Sequence, residues 1–211
     1  MNIHKLKNIY FVGIGGIGMS ALARYFHATN VSVSGYDKTP SELTKSLERE
    51  GVKVHYAPRP DLIPADCELV VYTPAVPQDF EEWDEINRRN IPVVKRSEAL
   101  AMLCNGKKSI AIAGTHGKTT VSAMIAHVLT KCGFSVNAFV GGIMTEFNSN
   151  VIIDAEAEWV LVEADEYDRS FLRLYPDIAV VNAIDADHLD IYGTKLDLEH
   201  AFYEFMQQCK D

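Results

Sequence analysis

Short apolar runs alternate with amphipathic stretches along the chain, and this alternation restricts the fold more than any other feature of the sequence. In the first half, the apolar runs are residues 8–12, 31–35, 52–56, 69–73 and 91–94. The amphipathic stretches are residues 17–28, 41–50 and 80–89. Short apolar runs with β-branched members are typical of buried parallel strands. Strands that alternate with helices predict a parallel sheet flanked by helices, which is an α/β fold.

A second series of the same kind follows a polar Asn-Gly-Lys-Lys segment at residues 105–108. Its strand candidates are residues 109–113, 136–140, 159–163 and 178–184, and its helix candidates are residues 118–131 and 198–208. A polar segment that contains Asn-Gly marks a loop or a boundary. We therefore predict two domains, residues 1–106 and 107–211. Because the second series has few strands and ends on a helix, we expect the second domain to be incomplete.

The composition excludes several classes of partner. The chain of 211 residues has 29 acidic and 20 basic residues and a net charge of −9. It has no Lys/Arg run of the kind that neutralises nucleic-acid phosphates. No apolar run approaches the roughly 20 residues that span a bilayer, residues 1–7 do not read as a signal peptide, and the cysteines form no CxxC pair. We expect a cytoplasmic protein that binds neither nucleic acid nor membrane, and nothing in the pattern predicts its oligomeric state.

A glycine-rich turn follows the first strand candidate. Gly-Ile-Gly-Gly-Ile-Gly at residues 13–18 fits G-x-G-x-x-G between a strand and a helix. Such glycines let the backbone approach a pyrophosphate, and the helix N-terminus adds partial positive charge. Asp37, about 20 residues further on, stands where an acidic residue meets a ribose hydroxyl. The turn alone leaves open a dinucleotide such as NAD, another nucleotide, or a turn used only for packing.

A second glycine-rich turn, Gly-Thr-His-Gly-Lys-Thr-Thr at residues 114–120, lies between a strand candidate and a helix candidate. It is a shortened form of the standard phosphate loop and not a strict match to it. Its amides can surround the β- and γ-phosphates of a nucleotide, Lys118 supplies a positive charge, and the Thr119 hydroxyl can ligate Mg²⁺. The turn predicts binding of ATP or GTP. The fold prediction is a Rossmann-like parallel-sheet domain followed by a truncated P-loop α/β ATPase domain.

Polar residues follow two further strand candidates of the second series. Residues 163–168 contain four acids directly after one strand, and Glu163 comes first. His188 lies in an Asp-Ala-Asp-His segment after the next strand. Because ligands bind at the carboxyl ends of parallel strands, we expect Glu163 to ligate Mg²⁺ and His188 to contact a metal or a phosphate. The other histidines lack such a context.

These segments together resemble the Mur ligase family of ATP-dependent ligases. Residues 114–120 are similar to the family's short phosphate loop, residues 163–171 resemble its metal-binding segment, and residues 187–190 resemble its Asp-His-x-Asp element. The turn at residues 13–20 is closest to that of the members that add L-alanine. Such members are much longer, so the resemblance implies an N-terminal fragment without the domain that holds the amino acid.

The resemblance also implies ligands and site residues. UDP-N-acetylmuramate replaces NAD at the first turn, and its site is Gly15, Gly16, Ile17, Gly18, Asp37, Thr73, Pro74, Ala75, Arg96 and Ser97. The ATP site is Gly114, Thr115, His116, Gly117, Lys118, Thr119 and Thr120. Thr119 and Glu163 would hold one Mg²⁺ and His188 a second, and the implied catalytic residues are Lys118, Glu163 and His188. Two positions depart from the family pattern, Ala183 in place of Asn and Val121 in place of Thr.

The implied activity is the ATP-dependent joining of L-alanine to the carboxylate of UDP-N-acetylmuramate through an acyl phosphate, in peptidoglycan precursor synthesis. We expect this fragment to bind ligand without ligation. The alternatives are a sister ligase that adds a peptide or another amino acid, an NAD-dependent oxidoreductase, and a nucleotide-switch protein that uses ATP without ligation.

Overall fold

The computed structural model describes residues 2–187 and 189–210. The chain forms two compact units, which divide between Leu100 and Ala101. The predicted division at residues 106 and 107 lies six residues further along, after the helix in which the units divide. None of the helices at residues 2–187 and 189–210 combines the length and the hydrophobicity of a membrane-spanning segment.

The first unit is a five-stranded parallel sheet with helices. Its strands are β1 (Asn8–Val12), β2 (Ser32–Tyr36), β3 (Lys53–His55), β4 (Leu69–Tyr72) and β5 (Val93–Lys95). Its helices are α1 (Ile17–Ala28), α2 (Glu42–Arg49) and α3 (Glu82–Arg88), and α4 (Arg96–Asn105) continues past Leu100. The strand order is β3-β2-β1-β4-β5, so the strand that precedes the first glycine turn is central. Each predicted strand and helix of this unit is present, with ends that differ by a few residues.

The burial of β1 agrees with its central position in this sheet. All five of its residues are buried, as expected of a strand covered on both faces. In its middle, the Tyr10 hydroxyl donates to the fully buried carboxylate of Glu82 on α3 at 2.5 Å. The Nε2 atom of His55 on β3 lies 2.9 Å from the same carboxylate. Burial, together with the Glu82 charge, raises the pKa of Tyr10 far above its ordinary value.

The second unit is also a five-stranded sheet. Its strands are β6 (Lys108–Ala113), β7 (Val136–Met144), β8 (Ser149–Ile152), β9 (Trp159–Glu163) and β10 (Ile178–Val181). Its further helices are α5 (Lys118–Lys131), α6 (Leu189–Tyr192) and α7 (Lys195–Gln207). The strand order is β10-β6-β9-β7-β8, parallel except for the antiparallel pair of β7 and β8. The strand before the second glycine turn therefore lies between the two strands that precede the predicted acidic and histidine segments.

The sequence predictions for this unit need correction at several places. The antiparallel strand β8 is missed, because Phe-Asn-Ser-Asn before Val151 has the composition of a turn. The strand predicted for residues 178–184 ends at Val181, because the backbone beyond it bonds to the glycine turn. The last helix begins at Lys195, three residues before its predicted start, because the Thr194 side chain accepts from the Asp197 amide and caps it.

Candidate nucleotide and phosphate sites

The first glycine turn is fixed by bonds to the end of β2. The amides of Gly13 and Ile14 donate to the Tyr36 carbonyl at 2.8 and 2.9 Å. The Gly15 amide donates to Oδ2 of Asp37 at 2.7 Å. The turn is therefore held rigidly at the carboxyl edge of the sheet, and the Gly15 amide is already bonded within the chain.

Asp37 has a structural contact that the sequence did not predict. Its Oδ1 accepts from the Thr39 amide at 3.0 Å while Oδ2 accepts from Gly15. The carboxylate thus ties the loop after β2 to the glycine turn. Its predicted proximity to a ribose or uridine stays a prediction.

The amino end of α1 lies against the side chain of Arg96. Gly16, the N-cap, and Ile17, the first helical residue, are exposed, and no side chain caps the helix. A Cβ atom built on Gly18 would lie 2.9 Å from Cδ and 3.1 Å from Nη1 of Arg96, so the guanidinium group rests on the first turn of the helix. The first amides of a helix have no partner within it and carry partial positive charge. A guanidinium beside them suits a diphosphate.

Some of the other residues predicted for this site lie close to the glycine turn. A Cβ atom on Gly13 would lie 2.5 Å from Cγ2 of Thr73, so Thr73 packs against the turn. Pro74 and Ala75 follow in an exposed turn after β4. Ser97, half-buried, follows Arg96 on the first turn of α4. The structure brings Thr73 and Arg96 to the glycine turn and places the remaining three beside them in the chain.

The second glycine turn connects β6 to α5. Gly114 and Gly117 have φ angles of +135° and +80°, which residues with a side chain rarely adopt. The Thr115 amide donates to the Ala183 carbonyl at 2.9 Å, and the Thr115 hydroxyl accepts from the Asp185 amide at 3.0 Å. The turn is thereby joined to the segment that follows β10, and Thr115 is an internal anchor of the turn.

Lys118 lies across this turn. Its Nζ donates to the Gly114 carbonyl at 2.7 Å and to the two carboxylate oxygens of Glu166 at 2.9 and 2.8 Å. The Glu166 side chain is fully buried and the Lys118 side chain is 18% exposed. The predicted phosphate-binding lysine is therefore held in place by a buried carboxylate.

Thr119 and Glu163, the two residues predicted to share a Mg²⁺, lie in hydrogen-bond contact. The Thr119 hydroxyl donates to Oε2 of Glu163 at 3.2 Å, and the Gly141 amide donates to Oε1 at 2.7 Å. Burial raises the pKa of Glu163, against the opposing effects of the Gly141 amide, the Thr119 hydroxyl and the Lys118 charge. A hydroxyl and a carboxylate oxygen at this distance are the hard donors that Mg²⁺ prefers.

The remaining predicted residues of the second site have varied surroundings. His116 and Thr120 are exposed, and Nε2 of His116 lies 3.7 Å from Oδ2 of Asp185. The Asn182 side chain donates to the His116 carbonyl at 3.5 Å. His188 lies outside the described residues. Among those that are described, no group of three acidic, histidine or cysteine side chains is placed to hold a metal.

Glu166 is the functional candidate that sequence reasoning missed. The sequence places it among the acids after β9, but the position directly after the strand favours Glu163. The spacing of the acids contains no signal for Glu166, since its importance comes from burial against the lysine. The backbone contributes to that burial, because the Glu166 carbonyl accepts from the Tyr192 hydroxyl at 2.5 Å.

Both units carry a glycine-rich strand–turn–helix junction at the carboxyl edge of a parallel sheet, and the second junction adds Lys-Thr beside acidic residues. These features define an α/β chain of the phosphate-loop class. Residues 8–108 match the family described as Mur ligase family, catalytic domain, and residues 112–211 match the Mur ligase middle domain. The chain belongs to the Mur ligase family, which confirms the resemblance and the predicted fold class.

Two curated relatives are similar to the whole length of this chain. The chain is 50% identical over 215 residues to the UDP-N-acetylmuramate–L-alanine ligase of Flavobacterium johnsoniae, covering 100% of this chain and 48% of the relative. It is 47% identical over 218 residues to the enzyme of that name from Cytophaga hutchinsonii, covering 100% of this chain and 47% of the relative. The chain therefore spans about half the length of the curated relatives that it matches.

Solved structures agree on the fold. The UDP-N-acetylmuramate-alanine ligase of Thermotoga maritima is 32% identical with a TM-score of 0.85, over 96% of this chain and 47% of that one. The UDP-N-acetylmuramate:L-alanyl-gamma-D-glutamyl-meso-diaminopimelate ligase of Neisseria meningitides has a TM-score of 0.84, over 97% of this chain and 69% of that one. At 24% identity, the second likeness supports the fold alone.

Proposed function

We propose that this chain forms the nucleotide-sugar-binding unit and part of the ATP-binding unit of a UDP-N-acetylmuramate–L-alanine ligase of peptidoglycan precursor synthesis. The observation that carries the proposal is the second glycine turn, where Lys118 spans the loop and Thr119 faces Glu163. The relatives of that name, at 47–50% identity, support the choice of substrate. The length of those relatives makes the complete reaction a property of a longer protein.

ATP is proposed to bind at the turn between β6 and α5. Helix α5 begins directly after Gly117 and has no side-chain cap, so its first amides have no partner within the helix. A triphosphate there would meet the helix N-terminus and the Lys118 ammonium, which together stabilise negative charge. These contacts favour in-line phosphoryl transfer, in which catalysis depends on positioning and charge stabilisation.

Mg²⁺ is proposed to be held by Thr119 and Glu163. Their oxygens lie 3.2 Å apart, and Glu163 is kept in place by the Gly141 amide. A Cβ atom on Gly141 would lie 2.7 Å from Oε2 of Glu163, so only glycine lets this carboxylate lie so close to β7. The cation would supply neutralisation of phosphate charge when bound. His188 is proposed as a ligand of a second cation on the family resemblance.

UDP-N-acetylmuramate is proposed to bind the first unit with its diphosphate on the opening turn of α1. Arg96 lies against Gly18 at that point and supplies the side-chain charge. The Gly15 amide is bonded to Asp37, so the helix amides after Gly16 are better placed to bind the diphosphate. The proposed diphosphate site therefore does not use the Gly15 amide, although Gly15 is among the site residues predicted from the sequence.

In the intact enzyme, the muramoyl carboxylate would attack the γ-phosphate of ATP, with ADP as the leaving group. The amine of L-alanine would then attack the acyl carbon of the acyl phosphate, lose a proton and release inorganic phosphate. Activation is needed because a carboxylate does not react with an amine. Lys118 would stabilise the charge that develops during phosphoryl transfer.

Calorimetric titration of the chain with UDP-N-acetylmuramate, ATP with Mg²⁺, and NADH tests this proposal. We expect the first two to bind and NADH not to bind. Arg96→Ala should weaken UDP-N-acetylmuramate binding about tenfold and leave ATP binding unchanged. Lys118→Met should do the reverse, so each variant is the control for the other. Binding of NADH in place of the UDP-sugar would support an oxidoreductase and contradict the proposal.

A further inference from the structure

A buried lysine–glutamate pair lies within the second glycine turn, and nothing in the proposed reaction explains why it is there. A lysine that only binds phosphate needs no carboxylate partner. Here Nζ of Lys118 is 2.9 and 2.8 Å from the two oxygens of Glu166, whose side chain is fully buried. We propose that Glu166 is a positioning residue, which holds the Lys118 ammonium at the loop so that it meets the phosphates of ATP in a fixed place. This inference rests on the proposed function.

The hydrogen-bond geometry supports this role. An ammonium group has three donors, and the structure gives Lys118 three acceptors: the Gly114 carbonyl and both oxygens of Glu166. A lysine side chain is long and flexible, so fixing it costs conformational entropy. The ion pair with Glu166 fixes the lysine side chain during folding, before ATP binds. A phosphate then has only to displace the Gly114 carbonyl while the bonds to Glu166 remain.

The backbone of Glu166 is itself held by two hydrogen bonds. Its carbonyl accepts from the Tyr192 hydroxyl at 2.5 Å and from the Arg169 amide at 3.0 Å. The ring of Tyr192 in turn packs beneath the Arg169 guanidinium at 4.9 Å. Without its cation, the buried Glu166 carboxylate would carry a large desolvation cost. This cost stabilises the ion pair with Lys118.

Nearby acids provide a comparison within the same segment. Asp168 is exposed and its Oδ1 accepts from the Ser170 amide at 3.0 Å. Asp168→Asn therefore removes a negative charge two residues from Glu166 and leaves the Lys118 pair intact. It separates a general effect of charge on ATP binding from the specific effect of holding the lysine.

A double-mutant cycle tests the proposal. Binding of a non-hydrolysable β,γ-imido analogue of ATP with Mg²⁺ is measured by calorimetry on the chain and on Glu166→Gln, Lys118→Met, the double variant and Asp168→Asn. We expect Glu166→Gln to weaken binding about tenfold, within the range of coupled contacts. In the Lys118→Met background the same change should have no further effect. Asp168→Asn should bind at least as tightly as the unchanged chain.

The outcomes separate this inference from the function on which it rests. If the unchanged chain does not bind the analogue, the proposed ATP site is wrong and the inference fails with it. If the unchanged chain binds the analogue and the Glu166→Gln variant binds it equally well, the positioning role alone is wrong. The same conclusion follows if Glu166→Gln weakens binding as much in the Lys118→Met background as in the unchanged chain. If Glu166→Gln does not fold, Glu166→Asp takes its place, since it keeps the charge but shortens the side chain by one methylene. The proposal predicts that Glu166→Asp weakens binding, and unchanged affinity in that variant overturns it.

Discussion

Glu163 and Glu166 follow the same strand, yet their surroundings give them different properties. Glu163 is half-buried and accepts from the Thr119 hydroxyl and the Gly141 amide. Glu166 is fully buried and accepts from Lys118. Three residues of separation thus place one carboxylate beside a candidate metal-binding hydroxyl and the other beneath the loop lysine. Only Glu163 could be singled out from its position after the strand, because burial of Glu166 depends on tertiary packing.

Gly35 shows how strictly a single position can be determined by close backbone packing. A Cβ atom on this residue of β2 would lie 2.4 Å from the Phe11 carbonyl oxygen, and that backbone atom cannot move aside without disturbing β1. We expect Gly35→Ala to lower the free energy of unfolding by about 3 kcal/mol, as overpacking does. Urea denaturation of the chain measures this change.

Gly16→Ala is the matched control in the same unit. A Cβ atom there would lie 3.7 Å from Cγ of Met19, an ordinary contact. As an N-cap substitution it should cost less than about 1 kcal/mol. Equal stability of the two variants would show that β1 and β2 are not packed as closely as the structure has them.

At the scale of elements, the sequence predicts strands and helices well where the pattern is local. The bounds of α1, α5 and β9 agree with their predicted ranges, because each has a continuous apolar pattern and a clear start. The sequence does not predict strand β8, although only four residues separate it from its partner β7, because its first residues have the composition of a turn. For the sites, the strand ends place Thr119 and Glu163 at one sheet edge, whereas the bond from the Gly15 amide to Asp37 is a tertiary contact without a local pattern.

Asp177 joins two elements of the second unit and gives a prediction for pH. Its Oδ2 accepts from the buried Ser109 amide of β6 at 2.8 Å and from Lys210 Nζ at 3.0 Å. Burial alone would raise its pKa, but the Ser109 amide and the Lys210 ammonium together lower it. Because the pKa is lowered in the folded state, the stabilisation is present above the ordinary value of 3.8 and is lost as pH falls below it.

Asp177→Ala should therefore lower stability at pH 7 by about 1–2 kcal/mol, since it leaves the Ser109 amide without its acceptor. The difference from the unchanged chain should shrink below pH 3.8. Chemical denaturation at several pH values provides the measurement. Asp61→Ala, which breaks an exposed pair with Arg59, is the control and should leave stability unchanged within the error of the measurement at each pH. A pH-independent loss in Asp177→Ala would contradict the assigned cause.

At the scale of the whole molecule, the two units repeat one physical arrangement. Each places a glycine-rich turn and a helix N-terminus at the carboxyl edge of a parallel sheet, which is where open α/β folds bind ligands. Each also adds a basic side chain at that helix start, Arg96 in the first unit and Lys118 in the second. The account depends on both of these arrangements binding phosphate groups.

A crystal structure of the chain with UDP-N-acetylmuramate and a non-hydrolysable ATP analogue tests that dependence most directly. The account predicts the sugar-nucleotide diphosphate on the first turn of α1 beside Arg96, and the triphosphate on the turn at residues 114–118 in contact with Lys118. Density for either phosphate group away from its glycine turn, with the turn amides bonded only to protein atoms, would contradict it.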